Sequence, residues 1–269
     1  MNQRRSDCAS PLKADLKIRP AALTKMQKAD SSPPTVFHIR LTTMRDIIPD
    51  EVFDQIAAHI RNRMPHAEEG WRSGSSEEDT ITGDLGSALR THHPHSITIG
   101  GVNYRWSLSY KKFLSKSKRS VERRLGADGI FQIEYEDLVT GELTTKGLLF
   151  QSKNQWRGRN QKLLGQANDM EQFAPKGGAI FEYGPRGYKA CDAAQAITAN
   201  GQRNSVPDAE MLSLRDYLVD RFMECTSCIR GLYYDANRNV LVVPDQKNGF
   251  DAHRFFIETR FRIEVQRVS

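Results

Sequence analysis

The alternation of apolar and polar residues predicts a series of β-strands along the chain. Between residues 129 and 138 apolar side chains alternate with polar ones, which is the period of a strand that buries one face. Similar runs predict strands at 36–41, 96–100, 102–110, 145–153, 178–183, 232–243 and 254–268. Gly100 and Gly101 separate two of these strands and predict a tight hairpin between them.

Apolar residues spaced by three or four positions predict helices around these strands. Val52, Ile56 and Ile60 mark a first helix, which begins near residue 49 with acidic residues in its first turn. Residues 67–76 are predicted to form a loop. A second helix is predicted to begin with Ser76 as its N-cap, because a serine oxygen can accept a hydrogen bond from the free amides of a first turn. Its inward stripe consists of Ile81, Leu85 and Leu89.

The order of these elements predicts an α/β fold. Further helices are expected at 157–173 and 209–225, and a short helix, or a loop followed by a helix, at 187–199. A mixed order of this kind favours a mixed central sheet flanked by helices. We expect three segments. Residues 1–34 form a flexible basic arm, 35–204 form the core, and 205–269 complete the fold or mediate an oligomer.

Composition narrows the class of protein without identifying a reaction. The chain has 269 residues, of which 38% are hydrophobic, and its formal net charge is +6. A positive charge favours a polyanionic partner but implies no particular chemistry. No apolar run approaches the roughly 20 residues that span a bilayer, and residues 1–34 lack the apolar run of a signal peptide. We therefore expect a cytoplasmic protein with no membrane partner.

Three polar residues around two predicted strands form the strongest candidate for chemistry. Asp128 lies in the segment GADGIFQIE, and Gln151 and Lys153 lie in KGLLFQSKN. Because side chains alternate along a strand, Gln151 and Lys153 face the same side. Pairing of the two strands would bring the Asp128 carboxylate towards Gln151.

This set of residues is suited to the hydrolysis of a phosphodiester. The reaction uses a metal ion that polarises the phosphate and lowers the pKa of an attacking water. Magnesium prefers oxygen ligands, and manganese is the alternative cation. Asp128 provides a carboxylate, the Gln151 side-chain oxygen a neutral ligand, and a peptide carbonyl near Ser152 another. Lys153 can orient the water and stabilise the charge that develops on the phosphate.

On these residues the sequence resembles the PD-(D/E)XK nuclease superfamily in its QxK form, over roughly residues 75–185. Mrr-type restriction endonucleases and effector nucleases of bacterial anti-phage systems share that form. The resemblance implies a restriction-endonuclease-like fold and an Mg²⁺-dependent DNA endonuclease, acting in restriction or anti-phage defence. It also implies a third metal ligand on the preceding helix, for which Glu78 is the candidate. Gln151 replaces the acid of the commoner pattern and removes one negative charge from the site.

Two groups of basic residues are candidates for contact with the phosphates of DNA. Residues 111–124 carry seven lysines and arginines, and a second pair follows Lys153. Contacts of this kind make binding weaken steeply with salt. The predicted DNA-binding residues are Lys111, Lys112, Lys116, Lys118, Arg119, Arg157 and Arg159.

Two other interpretations of the sequence stay open. The first is a non-catalytic nucleic-acid-binding protein with a degenerate nuclease fold, in which Gln151 marks the lost activity. The second is a structural subunit of a larger complex, with residues 1–34 as its docking tail. For the nuclease we expect a homo-oligomer, because the cleavage of two strands needs two sites. Activation by a partner protein or a small-molecule signal is also open.

Overall fold

The structure is a computed structural model that describes residues 45, 48–74, 77–113, 121–224, 226–244 and 252–256. The predicted basic arm at 1–34 and the predicted strand at 36–41 lie outside the described residues. Among the described residues, no helix combines the length and the apolar character needed to cross a lipid bilayer.

A mixed sheet forms the centre of the fold, and its strands follow one another in chain order. They are β1 (His95–Ile99), β2 (Val102–Lys112), β3 (Gly129–Asp137), β4 (Leu143–Asn154), β5 (Gly178–Tyr183), β6 (Lys189–Asp192) and β7 (Leu212–Ser213). All neighbours pair antiparallel except β4 and β5, which are parallel. A short strand, β8 (Ile229–Arg230), pairs with β4 at Lys146 and Gly147. The predicted α/β class, with a mixed sheet flanked by helices, is therefore confirmed.

Helices cover both faces of the sheet and divide the core into two apolar layers. On one face lie α1 (Asp50–Gly74) and α2 (Glu78–Leu89), packed on a row of aromatic rings. Phe150 and Phe181 stack in this row with ring centroids 4.8 Å apart. On the other face lie α3 (Val121–Leu125), α4 (Gln161–Phe173) and α5 (Ala193–Thr198). Because β4 and β5 are parallel, a crossover is needed between them, and α4 provides it.

Two predictions about the first helices are wrong. Residues 67–74, predicted as a loop, continue α1, because Met64 and Ala67 extend the buried stripe of Ile60 and pack in the core. The Tyr188 hydroxyl also donates to the Ala67 carbonyl, at 3.0 Å. The N-cap of α2 is Glu77, which makes no side-chain capping bond, rather than Ser76.

The C-terminal third differs most from its prediction. The helix expected at 209–225 is a 3-10 turn (Asp208–Glu210), β7, a short α6 (Leu214–Asp216) and a π-helix (Tyr217–Met223). The predicted helix at 187–199 begins as β6. The predicted strand at 232–243 is a hairpin of β9 (Tyr233–Asp235) and β10 (Val240–Pro244), and Asn239 in its turn has φ 53°. The last strand is β11 (Ala252–Phe256), which pairs with β10.

Candidate functional site

The candidate site lies where β4 extends beyond the beginning of β3. The last residue pair of these strands is Gly129 with Phe150. Further along β4, the Ser152 N–H donates to Asp128 Oδ2 at 2.8 Å, and the Asn154 N–H donates to Glu78 Oε2 at 2.8 Å. The two carboxylates thus accept hydrogen bonds from backbone N–H groups of β4 that a neighbouring strand would otherwise bind. These hydrogen bonds anchor Asp128 and Glu78 to β4.

Two glycines explain why the segment before β3 can approach its neighbours so closely. Gly126 has φ 67°, a conformation that favours glycine, and a Cβ there would lie 2.2 Å from the Gln166 carbonyl oxygen of α4. A Cβ on Gly129 would lie 2.5 Å from the Lys111 carbonyl oxygen of β2. These glycines therefore allow α4 and β2 to pack against the segment that carries Asp128.

The Asp128 carboxylate accepts several hydrogen bonds through one oxygen. Oδ2 accepts from the Ser152 N–H, from the Ser152 hydroxyl, and from Gln151 Nε2 at 2.8 Å. All hydrogen bonds that Asp128 accepts from described side chains and backbone use Oδ2. This leaves Oδ1 available to a ligand.

Gln151 is buried, with 1% of its surface exposed, and its amide connects Asp128 to α4. Its nitrogen donates to Asp128 Oδ2 and, at 3.2 Å, to the Ser152 carbonyl oxygen. Its oxygen accepts from Gln166 Nε2 at 2.7 Å. The Gln166 Oε1 atom is itself buried and has no hydrogen-bond partner within the described structure. A buried acceptor without a partner costs about 1–3 kcal/mol, so the pair of amides is not in an arrangement that satisfies all of its polar atoms.

Lys153 and Glu78 form the second part of the site. Lys153 Nζ lies 3.4 Å from Glu78 Oε1, and the exposed fractions of the two side chains are 12% and 33%. Glu78 binds β4 two residues beyond the point where Asp128 does, a separation of about 7 Å at the rise of a strand. Its present partners are thus Lys153 and Asn154.

Glu122 is a nearby acid that is not among the residues predicted from the sequence. It lies on α3, directly before the GADG segment. Burial, followed by the negative charge of Asp128, raises the pKa of Glu122 to about 7. Its position six residues before Asp128 was the available signal in the sequence, but only the fold shows that the two charges interact.

The predicted DNA-binding lysines are partly engaged within the protein. Lys112 Nζ pairs with Asp79 Oδ1 at 2.7 Å, and Lys111 Nζ lies 4.8 Å from the centre of the Tyr234 ring. Arg157 and Arg159 are exposed on the loop after β4. The remaining predicted contacts, which are Lys116, Lys118 and Arg119, lie outside the described residues.

The donor atoms at Asp128 fit a hard divalent cation. The Gln151 nitrogen contacts two oxygens, of Asp128 and of the Ser152 carbonyl, that are the type of ligand such a cation prefers. Rotation of the amide would turn Gln151 Oε1 towards these oxygens and its nitrogen towards the Gln166 amide. Within the described ranges no three His, Cys, Asp or Glu side chains gather as a metal site. The set at Asp128 combines one carboxylate with an amide and a carbonyl instead.

Comparison of the chain with protein-family models, curated proteins and solved structures finds no match.

Proposed function

We propose that this chain is an Mg²⁺-dependent deoxyribonuclease with a restriction-endonuclease-like core. The observation that carries the proposal is the meeting of Asp128, the Gln151 amide and the Ser152 carbonyl at the end of β4, on the strand that bears Lys153. An α/β fold with a mixed sheet can hold many activities, so the fold alone adds little to this argument.

Asp128, Gln151 and the Ser152 carbonyl would hold Mg²⁺ or Mn²⁺. When bound, the cation would polarise the phosphodiester and lower the pKa of a water molecule. The Ser152 amide already holds the Asp128 carboxylate in place, whereas the Gln151 amide would rotate to turn its oxygen towards the cation. Anchoring of the carboxylate before the substrate binds reduces the rearrangement needed during the reaction.

Lys153 would stabilise the negative charge that develops on the phosphate and orient the attacking water. Its side chain is mostly shielded from solvent, and among the described residues its ammonium group pairs with Glu78, at 3.4 Å. Glu78 stays in the proposal as the acid of the preceding helix. Its carboxylate is anchored by the Asn154 N–H and can bind either the ammonium or a water of the cation.

The net charge of +6 supports DNA as the substrate, because it favours encounter with a polyanion. The proposal includes a role in restriction or anti-phage defence, a homo-oligomer that cuts both strands, and control by a partner protein or a small molecule. These features rest on the resemblance of the QxK segment and on no separate contact in the structure.

A plasmid-cleavage assay tests the proposal. Wild type, Lys153→Ala and the exposed control Arg63→Ala are incubated with supercoiled DNA in Mg²⁺, Mn²⁺ or EDTA. We expect nicking or linearisation by wild type and Arg63→Ala with either cation, strongly reduced cleavage by Lys153→Ala, and none in EDTA. Equal cleavage by Lys153→Ala would overturn the assignment of the site.

One observation favours a second function, which is DNA binding without cleavage. The Gln151 nitrogen donates to Asp128 and to the Ser152 carbonyl, so both oxygens have hydrogen-bond partners without a cation. This alternative predicts salt-dependent DNA binding with no cleavage in either metal. The same plasmid assay, combined with a binding measurement in EDTA, separates the two functions.

A further inference from the structure

A basic cavity of about 230 Å³ lies beside the end of β4. The loop that follows Lys153 forms one wall, and the turn between β5 and β6 forms the other. Four basic side chains and one acidic side chain line it, which are Arg157, Arg186, Lys189, Arg203 and Glu182.

One ion pair forms the floor of the cavity. Arg203 Nε donates to Glu182 Oε2 at 2.7 Å, and the exposed fractions of these side chains are 14% and 17%. The Arg203 guanidinium also lies 5.9 Å from the centre of the Trp156 ring. Glu182 thus neutralises one cation, and the pairing holds Arg203 in place.

The other three cations of the cavity are not neutralised. Arg157, Arg186 and Lys189 are exposed and form no ion pair with the described residues. The cavity therefore carries an excess of three positive charges. Such a concave, basic site attracts an anion.

The size and lining of the cavity indicate which anion it fits. A volume of about 230 Å³ is below the roughly 300–1,000 Å³ of pockets that enclose a whole small ligand. The two aromatic residues of the lining, Trp156 and Tyr183, are 3% and 0% exposed, so neither offers a ring face on which a base can stack. A phosphate group satisfies both conditions.

The cavity is adjacent to the proposed nuclease site. Glu182 of β5 is the register partner of Lys153 on β4, and neighbouring strands lie about 4.8 Å apart. A phosphate held over the Arg203 pair would therefore lie one strand away from Lys153. The two positions are therefore close enough for one polynucleotide strand to contact both.

We propose that this cavity binds a backbone phosphate of the DNA strand, next to the phosphate held between Asp128 and Lys153. This assignment rests on the proposed nuclease function. It extends that function, because it defines the direction in which the bound DNA strand continues beyond the nuclease site. It adds Arg186, Lys189 and Arg203 to the predicted contact Arg157.

The test measures DNA binding in EDTA, where no cleavage occurs. A fluorescent DNA duplex is titrated with wild type and with the double variant Arg186→Ala/Lys189→Ala over a series of salt concentrations. The control is Arg61→Ala/Arg63→Ala, which removes the same charge from exposed positions of α1. Loss of one phosphate contact is expected to reduce the salt slope by about 0.9 and the affinity about tenfold at 0.1 M salt. The control is expected to retain the wild-type slope.

The outcomes of this test separate the two proposals. A wild-type slope and affinity in Arg186→Ala/Lys189→Ala would overturn the phosphate site, whatever the plasmid assay shows. A reduced slope would support the phosphate site even if wild type cleaves no plasmid, in which case only the nuclease proposal fails. The charge-preserving variant Lys189→Arg is expected to bind like wild type, and an equal loss there would argue against a purely electrostatic contact.

Discussion

Two lysines on the same strand, Lys146 and Lys153, show how position in the fold decides what a side chain can do. Lys146 is fully buried, and its ammonium donates to the Met223 carbonyl at 2.9 Å and lies 4.9 Å from the centre of the Phe222 ring. Lys153 lies at the open end of β4, with one loose partner in Glu78. Because the two residues are seven positions apart, they point to opposite faces of the sheet.

The two lysines differ in whether a substrate can reach them. Because Lys146 is buried, no substrate can reach it. Its contact with the π-helix connects β4 to the C-terminal third of the chain. Lys153 keeps donor capacity that no rigid partner uses. In the proposed nuclease this ammonium would stabilise the charge that develops on the phosphate.

The largest expected effect is on activity. Lys153→Ala removes the ammonium from the site, and we expect cleavage to fall by about 10²- to 10³-fold, the usual effect of losing one preorganised donor. The thermal midpoint should fall only slightly, because the ion pair with Glu78 is long, at 3.4 Å, and Glu78 is one-third exposed. Initial rates and thermal unfolding measure the two effects. Unchanged cleavage would remove the proposed distinction between the two lysines.

The second prediction concerns the stability of the fold rather than its activity. Lys146→Ala should lower the free energy of unfolding by about 2–4 kcal/mol, because it leaves a cavity and an unpaired Met223 carbonyl. Lys146→Met, which fills most of the volume, should lose less. Urea denaturation measures both variants. If Lys146→Ala instead reduced the cleavage rate of the folded protein without affecting its stability, the structural role of Lys146 would be wrong.

A third substitution, at Gln151, tests whether a cation binds at the end of β4 that carries Lys153. Gln151→Glu places a second carboxylate beside Asp128 in a buried position. Without metal we expect a loss of about 1–3 kcal/mol of stability, since a buried polar contact is replaced by repulsion. Mg²⁺ should restore stability, because a ligand that binds only the folded state stabilises it.

The matched control for this variant is Gln132→Glu. Gln132 is also a buried glutamine of the sheet, 4% exposed, and its oxygen accepts from the Tyr234 N–H at 2.7 Å. We expect it to be destabilised to a similar degree and to gain nothing from Mg²⁺. Thermal unfolding with Mg²⁺ or EDTA compares the variants, and equal rescue of both would exclude a specific cation site at Asp128.

The smallest expected effect concerns the pH dependence contributed by Glu122. Its folded-state pKa is raised to about 7, whereas an unfolded glutamate titrates near 4.5. The folded state therefore binds more protons between these values, and stability falls as the pH rises through this window. Glu122→Gln should remove part of this decline, while the exposed control Glu51→Gln should keep it. Thermal midpoints from pH 4.5 to 7.5 measure the difference, and identical pH profiles would contradict it.

The candidate site was partly accessible from sequence because its residues follow local rules. Alternation along β4 places Gln151 and Lys153 on one face, and pairing of β3 with β4 was expected to bring Asp128 towards Gln151. The bond between Gln151 and Gln166, and the interaction of Glu122 with Asp128, depend on how α3 and α4 pack. No local pattern encodes these contacts.

The central strands and the faces on which their polar residues lie could be predicted from the sequence alone. This was possible because the alternation of apolar and polar residues is a property of each strand by itself. The strand predicted at 178–183 has these bounds in β5. Three features could be seen only in the tertiary structure, which are the extension of α1 to Gly74, the π-helix that contacts Lys146, and the cavity at Arg203. Each of these features depends on contacts between residues that are far apart in the chain. Such contacts outweigh weak local secondary-structure preferences when they bury an apolar side chain or provide a polar partner.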